Sequence, residues 1–125
     1  MVASATTAEP SSLTVDERNR LVTTAIEASA GRVPMVAATG SQSLEETLQL
    51  TQHADRAGVS AVMVVTPYYI RPPQRGLVDY FEQVGKVTSK PILIYHIPGR
   101  AASEFRSTES EKIIRSSRST PYNDQ

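Results

Sequence analysis

The chain has 125 residues, enough for one domain of ordinary size with little room for a second. Thirteen basic residues balance thirteen acidic ones without a long block of either sign, so charge gives no reason to expect nucleic acid or a membrane surface as partner. Cysteine is absent, which removes disulfides, thiolate nucleophiles and cysteine-ligated metals together and fits a reducing compartment.

Residues 2–5 read as the end of a strand. Thr14 and Glu17 then have the spacing of a capping box, and Leu21, Val22, Ala25 and Ile26 form one apolar helical stripe that Gly31 is placed to stop. Residues 32–38 are the next strand. Ser43 and Glu46 repeat the capping spacing, and the stripe through Leu48, Thr51 and Ala54 runs to Gly58, where a left-handed cap is wanted. A third strand over residues 59–65 follows, then a helix from about residue 76 to residue 87 with Leu77, Phe81 and Val84 facing inward, then a fourth strand over residues 91–96.

The last three strand segments are nearly continuous apolar runs, the pattern of strands buried on both faces in a parallel sheet. Their starts lie about thirty residues apart, the length of a strand plus its crossover helix. Residues 101–125 are rich in Ser, Arg and Glu and contain no strand-like run; beyond one short helix over 109–115 they are expected to be mobile. The longest apolar run, residues 59–65 with Ser60 inside it, is too short to span a bilayer. Residues 1–10 lack the basic start of a secretory leader, so a soluble cytoplasmic protein is the expectation.

A repeated strand–helix pattern fits either an open doubly wound sheet or a barrel. The open sheet of a dinucleotide-binding protein carries Gly-x-Gly-x-x-Gly after its first strand, and no such run or other phosphate-cradling glycine loop occurs here. Polar residues instead follow each strand: Thr6-Thr7, Thr39-Gly40-Ser41, Thr66-Pro67-Tyr68-Tyr69, and Tyr95-His96 leading to Arg100. Barrel enzymes place their chemistry at those ends. A complete barrel takes about 250 residues, so the expected architecture is roughly half of a (β/α)8 TIM barrel over residues 1–100, followed by a divergent tail.

With parallel strands, the hydroxyls of Thr6, Thr7, Tyr69 and Tyr95 and the cation of Arg100 share one rim, a set suited to relaying a proton and holding a carboxylate. Plainer readings stand beside this one. Thr39-Gly40-Ser41 reads equally as a turn with an N-cap, and Tyr68-Tyr69 with Arg71-Pro72-Pro73 as a loop covering a helix end. His96 reads as a hydrogen-bonded strand-end residue rather than a metal ligand, because His53 is the only other histidine; no metal and no cofactor are expected.

In order and spacing, Ala5-Thr6-Thr7-Ala8-Glu9, Leu13-Thr14, Gly31-Arg32-Val33-Pro34, Thr39-Gly40, Thr66-Pro67-Tyr68-Tyr69 and Tyr95-His96-Ile97-Pro98-Gly99-Arg100 resemble the 4-hydroxy-tetrahydrodipicolinate synthase and N-acetylneuraminate lyase family. The resemblance spans about residues 2–100, the second to fifth of eight barrel strands. It implies a class I aldolase, a carbon–carbon lyase or synthase in which pyruvate or another 2-oxo acid forms a Schiff base with a barrel lysine.

By position, the resemblance assigns Thr6, Tyr69 and Tyr95 to a proton relay, with Tyr95 the acid/base hydroxyl beside the imine. It assigns Thr7 to the pyruvate carboxylate and Arg100 to the second substrate, and it implies a homo-oligomer, since the tyrosine matching Tyr69 is lent by a neighbouring subunit.

The family writes glycine where this chain has Ala5 and Ala8, so a left-handed backbone at either position would be strained here. Asparagine is frequent where His96 stands. The family's lysine lies on the sixth strand; Lys86 and Lys90 precede the fourth strand segment, and Lys112 lies among charged residues, so the nucleophile is not expected in this chain. A catalytically inactive piece, which at most associates with other copies or with a complete relative, is the alternative.

Overall fold

Parallel pairing in simple chain order organises the molecule. The computed structural model describes residues 1–5, 10–67 and 73–96, so the expected mobile tail at 101–125 lies outside the described residues. Strands β1 (Val2–Ala3), β2 (Val36–Ala38), β3 (Ala61–Val65) and β4 (Ile92–Tyr95) form one sheet in the order β1-β2-β3-β4, every pair parallel. Helices α1 (Val15–Ser29), α2 (Leu44–Ala57) and α3 (Gln74–Lys86) connect them in turn, and a short 3-10 turn, Pro10–Ser12, precedes α1.

The three described α-helices pack on the same face of the sheet. Ala37 is in register with Val62, and Val64 with Ile94, and these residues share one apolar cluster with Val22 of α1, Ala54 of α2 and Tyr80, Phe81 and Val84 of α3. A doubly wound sheet would divide its helices between two faces. Strands in chain order with every helix on one side are instead an arc of a barrel, whose other face is the barrel interior.

The expectation of strands buried on both faces therefore holds for one face only. Val62 and Val64 are fully buried, whereas Met63 and Val65, which alternate with them, are half-buried and Leu93, in register with Met63, is 50% exposed.

The helix ends follow the local chemistry. At α1 the capping box closes: Glu17 N donates to Thr14 Oγ1 at 3.2 Å and Thr14 N donates to the Glu17 carboxylate at 2.8 Å. At α2 only half of it forms. Glu46 N donates to Ser43 Oγ, while the Glu46 carboxylate accepts from Ser41 Oγ at 2.8 Å. Helix α3 begins two residues earlier than its stripe suggested, directly after Pro73, whose fixed φ of −64° suits the position before a helix.

Strands β2 and β3 both start later than the sequence expectation, for identifiable reasons. Strand β2 starts at Val36 rather than at residue 32, because Arg32 closes the end of α1: its backbone N and Nε donate to Ser29 O at 2.9 and 3.0 Å and a guanidinium nitrogen donates to Ala28 O at 2.7 Å. Pro34 has no N–H to give a ladder. Strand β3 starts at Ala61 because Val59 N is drawn back to Ala54 O at the end of α2.

The left-handed stop of α1 begins at Ala30 (φ 48°), one residue before Gly31. Near the first strand the positive φ falls on Ser4 (63°) and not on Ala5; Ala8 lies outside the described residues. Among the described residues no helix is long and apolar enough to cross a membrane.

Candidate active site

The C-terminal ends of the strands converge on one edge of the sheet, the rim formed by Ser4 and Ala5, Thr39, Thr66 and Tyr95-His96. Of the residues the sequence assigned to chemistry, Tyr95 is described, at the end of β4. Thr6, Thr7, Tyr69 and Arg100 lie outside the described residues.

Tyr95 is in register with Val65, half-buried, and alternates with Ile94, which packs under the helices. Its ring therefore projects on the barrel-interior face. Thr66 N donates to Tyr95 O at 3.0 Å, so the last ladder bond between β3 and β4 falls on the tyrosine itself. Thr66 Oγ1 lies 3.2 Å from His96 Nδ1, in keeping with His96 as a hydrogen-bonded strand-end residue.

The segment Thr39-Gly40-Ser41 is a clamped turn rather than an open binding loop. Arg18 reaches from α1 with one guanidinium nitrogen on Gly40 O (3.2 Å) and the other on Ala38 O (3.0 Å) and Gly40 O (3.2 Å). Thr51 donates to Thr39 Oγ1, and Thr47 Oγ1 accepts from Ser41 N, both at 2.9 Å. Tyr80 of α3 donates its phenol to Ser41 O at 2.9 Å and lies 2.6 Å from Thr47 Oγ1. The hydroxyls of Thr47, Thr51 and Tyr80 and both terminal guanidinium nitrogens of Arg18 thereby have partners, the condition for burying them at all.

Gly40 is required by space. A Cβ there would stand 2.6 Å from Val65 N and 2.8 Å from Val65 Cγ1, so the turn lies directly against the end of β3.

Sequence reasoning did not single out Arg18, Thr47 or Tyr80. The signal available was polar residues on the inward stripes of α1, α2 and α3, but their common target, the turn after β2, is visible only once the helices pack. Ser4 is a second such residue. It is buried at the end of β1, immediately before Ala5 and Thr6, and its hydroxyl has no hydrogen-bond partner among the described residues. An open groove of about 450 Å³ lies along the outer side of α1, lined by Glu17, Leu21 and Ala25 among others; no rim residue borders it.

Parallel strands in chain order with the described helices on one face define an arc of a (β/α)8 barrel. Residues 1–116 match the Dihydrodipicolinate synthetase family, and the chain belongs to it. It is 43% identical over 115 residues to the 4-hydroxy-tetrahydrodipicolinate synthase of Brucella abortus, covering 92% of this chain and 39% of that protein.

Against the synthase of the same name from Thermus thermophilus it is 48% identical over 101 residues, covering 80% and 34%. Among solved structures, dihydrodipicolinate synthase from Aquifex aeolicus superposes with a TM-score of 0.89 at 35% identity, covering 91% of this chain and 39% of that one. The 4-hydroxy-tetrahydrodipicolinate synthase of Methylacidiphilum fumariolicum gives 0.90 at 35% identity, covering 94% and 39%. The chain thus spans 39% or less of the length of these relatives.

Proposed function

We propose that this chain carries the proton-relay side of the site of a pyruvate-dependent class I aldolase of the 4-hydroxy-tetrahydrodipicolinate synthase type, working in the cytoplasm without a cofactor. The observation that carries the reading is Tyr95, held at the interior rim of a barrel arc that belongs to this family.

In such a reaction an amine adds to the C2 carbonyl of pyruvate, and water leaves as the imine forms. The phenol of Tyr95 donates the proton that the departing hydroxyl needs and later takes one back, with Thr6 and Tyr69 as its relay. Thr7 binds the carboxylate of pyruvate, and Arg100 binds the anionic group of the second substrate.

The amine itself comes from outside residues 1–125. Lys90 precedes β4, and at the rise of an extended strand its Cα lies roughly 16 Å from that of Tyr95, at the opposite end of the sheet. Lys86 closes α3 at the same far end and is exposed. This favours a second reading for the chain in isolation, a catalytically silent arc that associates with copies of itself or with a complete relative.

The reading is tested by grafting residues 1–100 in place of the matching segment of the Brucella abortus synthase and assaying condensation of pyruvate with the aldehyde substrate. The graft is expected to turn over, and Tyr95→Phe in it to lower kcat by about 10²-fold or more. A graft in which Tyr95→Phe leaves kcat unchanged contradicts the assignment.

A further inference from the structure

Thr66 stands one residue past β3, fully buried, with a hydroxyl that has a single hydrogen-bond partner among the described residues, His96 Nδ1 at 3.2 Å. The protonation of that pair follows from counting protons. Were Nδ1 to carry the hydrogen, it would donate to Thr66 Oγ1 and leave the threonine proton buried without an acceptor. With the hydroxyl donating, Nδ1 is the acceptor and the ring hydrogen sits on Nε2. The same residue's backbone N donates to Tyr95 O at 3.0 Å. Thr66 therefore grips two consecutive residues of the neighbouring strand end, the tyrosine through its main chain and the histidine through its ring.

We propose that Thr66 is a positioning residue for the rim tyrosine, its hydroxyl locking His96 as the Nε2–H tautomer and thereby holding the end of β4 against β3. The functional weight of this device rests on the reading of Tyr95 as the acid/base group. The end of a strand frays unless something beyond its last ladder bond is tied down. The Thr66–His96 pair lies one position beyond that bond, where the tyrosine would otherwise be free to swing with the chain that follows.

The side-chain chemistry defines which replacements preserve the device. Serine keeps the hydroxyl; valine keeps the volume and loses it. Asparagine at position 96 offers Oδ1 at the same branch point as Nδ1 and accepts the same hydrogen bond, whereas alanine does not.

The test uses the 125-residue chain, labelled with 15N, and reads two quantities: the tautomer of His96 from long-range 1H–15N spectra, with His53→Gln identifying the remaining ring, and the hydrogen-exchange rate of the residue-66 amide. In the unsubstituted chain the ring is expected as the Nε2–H form. Thr66→Val is expected to mix the tautomers and speed exchange at residue 66 by about three- to ten-fold. Thr66→Ser is expected to restore both.

His96→Ala is expected to accelerate exchange and His96→Asn to keep it slow, a pair that decides the matter should Thr66→Val fail to fold. Unchanged tautomer and exchange in Thr66→Val, a serine variant as impaired as the valine one, or equal exchange in His96→Ala and His96→Asn each overturn the proposal. None of these outcomes depends on turnover, so a failure of the aldolase reading would show in the Tyr95→Phe graft and leave this result standing.

Discussion

On one face of the sheet Ala37, Val62 and Val64 lie beneath the helices at 0% exposure; one residue along, Met63 and Val65 are half-buried and Leu93 is 50% exposed. Both sets are small or medium apolar side chains, so composition does not separate them. Topology does. Crossovers of one hand joining strands in chain order send every helix to the same side. The covered face holds the described part of the molecule together, and the open face has the apolar character of a barrel interior. The rim where the two faces meet carries Tyr95, fixed from below by Thr66 and flanked by a turn that Arg18, Thr47 and Tyr80 hold.

The largest expected effect lies on the covered face. Phe81 is fully buried in the helix–sheet cluster and meets Tyr80 edge-on at 5.3 Å between ring centroids. Phe81→Ala is expected to cost about 3–5 kcal/mol, read as a lowered midpoint in urea.

At the rim, Gly40→Ala forces a Cβ against the backbone of Val65 and is expected to cost about 1–3 kcal/mol by the same measurement. No loss there would mean that the turn and β3 do not meet as described.

On the open face, Leu93→Ser is expected to change stability by under about 1 kcal/mol, since half of that side chain is already in water. The same substitution is expected to weaken self-association in sedimentation equilibrium, because an exposed apolar face and two sheet edges without a neighbouring strand among the described residues invite pairing. A loss as large as that of Phe81→Ala would show the face to be covered in solution.

The sequence made much of this arrangement legible, and the limits are instructive. Thr14 with Glu17, Gly58 and the apolar stripe of α3 act within a few residues of themselves, so their effects could be read locally. Parallel order followed from three apolar runs and the spacing between them. Arg32 misled because a residue in an apparent strand turns back to close the helix before it. Gly31 takes the left-handed conformation expected of it (φ 75°) but shares it with Ala30, and Ser4 takes one a residue before the position where the family writes glycine, since neighbouring residues at a turn share one reversal of direction. The clamp on Ser41 and Gly40 was invisible for a different reason: its members lie on separate helices, Arg18 22 residues from Gly40 and Tyr80 39 from Ser41, and a polar residue on an apolar stripe does not name its partner.

The proposed function gives this chain the relay tyrosine of a Schiff-base aldolase without the amine that forms the imine. It is tested most directly by incubating the 125-residue chain with pyruvate, reducing with borohydride and weighing the protein intact. No reduced adduct is expected, because Lys86 and Lys90 lie at the far end of the strands and the remaining lysine, Lys112, lies among charged residues in the sequence. A stoichiometric adduct on a single lysine, Lys112 above all, would contradict the account and show that the chain supplies its own nucleophile.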